Sequence, residues 1–179
     1  MSQTIHYTID NTHSTAGFKV RHLMVANVRG EFSKLSGTVA FDSANPANSR
    51  VEADIDVTSI TTGDQQRDGH LKSADFFDAE KFPTIRFASR KVTPINGGGE
   101  YKVLGDLTIH GVTKEVTLDV EGPAPEQKDP WGNVKSGISA TTKINRKDFG
   151  LSWNAALETG GVLVGDDVQI HIDAELARQ

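Results

Sequence analysis

The chain has 179 residues, no cysteine and a formal net charge of −5 at neutral pH. That length supports one domain with a real core, while the missing thiols exclude disulfide frameworks, thiol catalysis and cysteine-ligated zinc or iron–sulfur sites. Acids and bases are interspersed, without the basic stripe of a nucleic-acid binder, and the negative balance opposes adsorption to an anionic membrane.

Side chains alternate with period two along nearly the whole chain, which is the signature of β-strands. Ser14–His22 places Ala16, Phe18, Val20 and His22 on one face. Leu35–Phe41 does the same with Leu35, Gly37, Val39 and Phe41, before a loop over 42–49. Arg50–Val57 sets Val51, Ala53, Ile55 and Val57 against Arg50, Glu52, Asp54 and Asp56, as in an antiparallel sheet with one solvated face. Thr58–Ala79 interrupts the pattern. Asp64 is an N-cap candidate there, and Leu71, Ala74 and Phe77 have the spacing of one helical face, so a short helical excursion over an opening of the sheet is expected.

Strands resume at Thr84–Val92, with Ile85 and Phe87 in phase. Tyr101–Ile109 and Val112–Val120 flank His110-Gly111 and read as a hairpin, with Gly111 supplying positive φ. A proline-marked loop over 123–131 leads to Val134–Ile144, which carries Ile138, Ala140, Thr142 and Ile144 on one face. The segment 146–164 is irregular and Gly-rich, and Gln169–Leu176 closes the series with Ile170, Ile172, Ala174 and Leu176 inward. Eight antiparallel strands joined mostly by short turns predict an all-β, up-and-down barrel with a short helical insert, within one domain over 1–179. A two-sheet sandwich is the alternative that alternation alone leaves open.

The inward positions include Ala16, Gly37, Ala53, Gly105, Ala140 and Ala174. Facing Phe18, Phe41, Phe87 and Leu107, such small residues either leave an apolar cavity or simply fit the taper of a closed sheet. The six histidines are scattered, with no metal-ligand spacing, so neither a metal site nor a catalytic residue is expected. His13 has two readings, an Asx-type turn and a pair with Asp10. The group Arg67-Asp68-Gly69-His70-Leu71 also has two: a grip on a polar head group, or an ion pair of Arg67 with Asp68 or Asp75 that locks the insert.

Several segments, in order, resemble the YceI-like family of small bacterial barrel proteins. They are Asp10-x-x-His13-Ser14, Arg67-Asp68-x-His70-Leu71 with Asp75-Phe76-Phe77-Asp78, and Phe82-Pro83-x-Ile85-x-Phe87. Gly105-Asp106-Leu107-Thr108-Ile109-His110-Gly111-Val112-Thr113-Lys114, Ile144-Asn145-Arg146-x-Asp148-Phe149-Gly150-Leu151 and Val164-Gly165-Asp166-x-Val168 continue the match. The resemblance implies a lipocalin-like eight-stranded barrel and a deep apolar pocket. Its ligand would be a polyisoprenoid or similar long-chain amphiphile: an isoprenoid quinone, a polyprenyl alcohol or phosphate, or a fatty amide. It also implies a homodimer.

The expected function is therefore a non-enzymatic carrier, without a cofactor beyond that polyisoprenoid or quinone-like ligand. The candidate ligand-binding residues are Phe18, Val20, His22, Val39, Phe41, Ala53, Ile55, Arg67, His70, Leu71, Phe77, Phe87, Leu107, Ile138 and Ala140. Two alternatives stand beside it. One is an enzyme acting on an isoprenoid or quinone through His13, His22 or the Arg67–His70 group; the other is a stress-related scaffold with a filled barrel. No nucleic-acid partner and no stable membrane insertion are expected. The N-terminus lacks the basic-then-apolar pattern of an export signal, so the expected location is cytoplasmic, or periplasmic where a leader has been removed.

Overall fold

The computed structural model describes residues 4–158 and 160–179; the first three residues of the segment read for an export signal lie outside them. In chain order the strands are β1 (Thr4–Ile9), β2 (Thr15–His22), β3 (Ala26–Phe32), β4 (Leu35–Asp42), β5 (Arg50–Asp56) and β6 (Ile60–Thr61). After helix α1 (Gln65–Lys72) come β7 (Thr84–Ile95), β8 (Glu100–Ile109), β9 (Val112–Glu121), β10 (Gln127–Lys128), β11 (Val134–Asn145) and β12 (Val164–Arg178).

All pairings are antiparallel, and β11 pairs with β12 to close the sheet on itself. A sandwich is thereby excluded. β12 carries two segments on its other edge, β2 against its first part and β1 against its last residues. Those two segments form one stave, broken by a 3₁₀ turn at Asn11–His13. β3 and β4 likewise form one stave, pairing with β2 and β1. Counted as staves, the result is a closed eight-stranded barrel, as the alternation predicts.

Strands β1 and β3 are nevertheless absent from the sequence reading, and both have a physical cause. β1 is short, and its Tyr7 is the single fully buried side chain in it. β3 follows β2 through Leu23, Met24 and Val25, three apolar residues where a hairpin turn is expected to carry Asn or Gly. The helix is also shorter than its spacing suggests. Asp64 caps it, accepting from the Arg67 amide at 3.0 Å, but it ends at Lys72. Ala74 and Phe77 therefore lie in the turns beyond it, and Ala74 is exposed. At the β8–β9 hairpin, His110 and Gly111 take φ of 55° and 74°, the left-handed pair a tight hairpin requires.

The barrel has unequal ends. Tyr7, Val39, Ala174 and Leu176 pack with Ile5, Ile9, Phe41, Val51 and Ile138 to plug one of them. There the Tyr7 hydroxyl donates to Glu126 at 2.7 Å, and burial, reinforced by that carboxylate, pushes its pKa up to about 12. At the other end the staves part: β9 meets β11 over only Glu121↔Ser139 to Asp119↔Thr141. A 3₁₀ turn at Arg146–Phe149 and α1 lie at this open end.

Candidate ligand cavity

Inside the barrel is a cavity of about 310 Å³. That lies at the low end of the roughly 300–1,000 Å³ usual for small-molecule sites. Its walls are the inward phases of the long staves, including Phe18 and Val20 of β2, Ala53 and Ile55 of β5, and Phe87 of β7. Leu107 of β8, Ile138 and Ala140 of β11, and Ile170 and Ile172 of β12 complete them. Alternation fixes this phase, because a one-residue slip would turn every one of them outward.

The small inward residues divide by role. Ala16, Ala53, Ala140 and Ala174 line the cavity. Gly105 instead makes room for packing: a Cβ there would stand 2.5 Å from the Phe87 ring. Gly37 is similarly pressed against the β5 backbone, with Glu52 O 2.1 Å from an added Cβ. Cavity and taper are thus both present, at different residues.

The α1 end forms the mouth. Leu71 and Phe77 face the cavity, and Phe77 meets Phe32 edge-on at 5.8 Å, with Phe18 behind it at 5.7 Å. His70 packs edge-on between Phe76 (5.1 Å) and Trp153 (4.8 Å), bracketing the helix to the loop that follows the Arg146 turn. Such ring pairs add about 0.5–1.5 kcal/mol each beyond simple burial. The polar lining comprises Arg21, His22, Arg67, His70, Thr142 and Arg146. Among the described residues, no carboxylate lines the cavity.

Thirteen of the fifteen candidate residues, all but Val39 and Phe41, line this cavity. Those two belong to the plug of the closed end, where Phe41 also meets Tyr101 edge-on at 5.8 Å. Their phase is inward as expected, but their height along the barrel, which alternation does not encode, puts them below the cavity floor. The expected ion pair of Arg67 with Asp68 or Asp75 is also corrected. Arg67 donates to the Thr62 hydroxyl and carbonyl at 2.7 and 2.8 Å, Asp68 accepts from the Thr62 amide and hydroxyl, and Asp75 pairs with His70 at 2.9 Å. Thr62 is thus the clasp of the insert.

His13 lies away from the cavity, and both of its readings hold: Asp10 caps the 3₁₀ turn and also approaches His13 Nδ1 at 3.1 Å. Glu175 stands 3.1 Å from the same nitrogen, and Lys135 2.9 Å from Asp10.

Sequence reasoning missed Arg21, Phe76, Arg146, Trp153 and Leu163 as lining residues. Arg146 is 3 % exposed and holds the mouth together from within. Its guanidinium donates to the carbonyls of Gly165 (2.8 Å), Leu151 (2.5 Å), Trp153 (2.9 Å) and Val164 (3.3 Å). Burial presses its pKa down, and Asp166 acts against that shift. These residues sit in or beside irregular segments, where no periodicity marks a face; the motif Ile144–Leu151 was the available signal.

The sequence profile described as the YceI-like domain matches residues 7–176. The chain belongs to the YceI-like family. A UPF0312 protein of Staphylococcus aureus is 40% identical over 172 residues, covering 96% of this chain and 97% of that protein. The crystal structure of BcnA from Burkholderia cenocepacia superposes with a TM-score of 0.78 at 28% identity, over 93% of this chain and 98% of the other. A polyisoprenoid binding domain from Saccharophagus degradans shares the fold, with a TM-score of 0.67 at 15% identity over 97% and 98% of the two chains.

Proposed function

We propose that this YceI-like protein is a carrier for a long-chain amphiphile, a polyisoprenoid by preference, with the apolar tail inside the barrel and the polar end at the α1 mouth. The observation that carries the reading is the cavity itself: an apolar interior, plugged at one end, whose polar lining holds arginines and histidines and, among the described residues, no carboxylate. The fold shared with a domain named for polyisoprenoid binding supports the ligand class.

At about 30 Å³ per water-sized group, the cavity takes roughly ten carbons, or two isoprene units. Ten buried methylenes at about 0.8 kcal/mol each contribute roughly 8 kcal/mol, from which ordering of the flexible chain subtracts a large share. Binding by this route depends on chain length and shape, while the cationic mouth favours a phosphate or hydroxyl head over a bare hydrocarbon.

Mass spectrometry of an organic extract from freshly purified protein tests the reading. A prenyl-chain species stoichiometric with protein is expected. A clean extract, together with no uptake of a fluorescent farnesyl probe, would overturn it.

A further inference from the structure

The β2–β3 hairpin ends in a turn, His22–Val25, closed by a bond from the Val25 amide to the His22 carbonyl at 3.1 Å. Its central residues, Leu23 and Met24, stand at φ of 53° and 62°. Tight turns with positive φ at two successive positions favour Asn-Gly, and bulky side chains there are disfavoured by clash with the backbone. This turn carries Leu-Met instead, followed by Val25, and all three project outward at 42, 53 and 75 % exposure. Neither Leu23 nor Met24 lines the cavity, so the interior does not account for them. A local rule broken without gain to the core points to a role outside it.

Two further observations say what that role faces. The tip stands at the cavity mouth: the Leu23 amide donates to Leu163, a lining residue, at 2.8 Å, and Met24 lies against Gly161 beside exposed Val162. The hairpin is also cationic. Residues 19–30 include Lys19, Arg21 and Arg29 and no Asp or Glu, within a chain of net charge −5. The whole-chain balance, which by itself opposes contact with an anionic surface, conceals this local reversal.

We propose that the Leu23–Val25 tip is a docking surface for an anionic phospholipid bilayer, seating the barrel mouth against the membrane from which it draws its ligand. This inference rests on the carrier reading for its purpose, and on the hairpin's own chemistry for its partner. Apolar side chains enter the headgroup boundary while flanking cations meet anionic lipid, the combination that gives reversible interfacial binding. No helix among the described residues is long and apolar enough to cross a membrane, and none is needed for such contact.

The test is flotation with phosphatidylcholine–phosphatidylglycerol vesicles, comparing the protein with the double variant Leu23→Asn/Met24→Gly. That variant installs the residues the turn geometry prefers, so its melting temperature should equal or exceed that of the parent. Vesicle affinity should fall about tenfold or more, as loss of two partly buried apolar anchors implies, while uptake of a farnesyl probe from solution stays unchanged. Equal flotation of both proteins, or a parent that ignores vesicles, would overturn the proposal. Self-association lost with the tip, in place of vesicle binding, would also overturn it and assign the tip to a protein interface. Probe uptake is read separately, so a barrel that takes no prenyl chain refutes the carrier reading while flotation still decides the tip.

Discussion

The Nε of Arg146 donates to the carbonyl of Gly165 at 2.8 Å, tying the turn after β11 to the start of the neighbouring β12 at the mouth of the barrel. The same guanidinium serves three more carbonyls, a fork geometry that a lysine ammonium does not reproduce.

Replacing it should therefore be costly even when charge is kept. Arg146→Lys is expected to destabilise by about 2–4 kcal/mol, because the carbonyls of Leu151 and Trp153 lose their donor, while that of Val164 keeps the Asn154 amide at 2.7 Å. Urea denaturation measures it; a variant within 0.5 kcal/mol of the parent, about the spread of neutral surface changes, would show that water or neighbouring donors replace the fork.

Filling the cavity should abolish binding without unfolding the protein. Ala140→Leu and Ala53→Phe place bulk where the walls leave space, so farnesyl-probe uptake should drop while the melting temperature of the ligand-free variant changes little. Overpacking a filled core would instead cost about 1–3 kcal/mol. A large stability loss with binding retained would relocate the binding space away from these residues.

Ligand affinity should climb with tail length and then level off. Each added methylene is expected to improve it about fourfold, the equivalent of about 0.8 kcal/mol, until about ten carbons are buried. Calorimetry on a series of n-alkyl phosphates reads the slope directly. A flat series from the shortest member would mean that the head group, not the interior, dominates.

At the mouth, His70→Ala should weaken a phosphate- or hydroxyl-bearing prenyl chain more than the matching hydrocarbon. Its ring faces the cavity while Nε2 is held by Asp75. Equal loss for both ligands would assign His70 to bracing Phe76 and Trp153 alone.

The Asp10–His13–Glu175 group should give stability its own pH dependence. Hydrogen bonds from Thr12, Lys135 and His13 hold the Asp10 carboxyl well below the usual carboxylate range, and Asp10 followed by Glu175 raises the His13 pKa. The raised histidine stabilises fully below its unfolded pKa of about 6.5, and that contribution fades as pH rises through the folded value. The depressed Asp10 stabilises above about 3.9, and that contribution is lost only as pH falls through its much lower folded value. Both act together between about pH 4 and 6.5. The stability gap between the parent and His13→Ala should be widest there and narrow as pH rises through the raised folded value. A gap that does not vary with pH would mean that His13 acts only through packing.

Period two carried the barrel because it reports which face of a strand is buried, and eight such faces were legible. It carried Phe18, Ile55, Phe87 and Ala140 to the cavity for the same reason. It could not separate them from Val39 and Phe41, since depth along the barrel axis depends on strand stagger, which no single strand encodes. β3 was hidden because Leu23 and Met24 stand where a turn signal belongs. Arg146 and Trp153 were hidden because irregular backbone has no period to read: Arg146 matters through carbonyls of the loop that follows it, and Trp153 through rings far away in sequence.

One consequence of the closure concerns how the molecule is made. β12 is the last stave in chain order, and it bonds to β11 on one edge and to β2 and β1 on the other. A chain leaving the ribosome can curl its first seven staves, but the ring stays unsealed until residues 164–178 emerge. Pairings between sequence-distant segments, such as Tyr7 with Arg178, form slowly, and apolar surface left uncovered meanwhile invites misassociation. The lining that shelters a lipid in the finished protein is thus, during synthesis, the surface most in need of a chaperone.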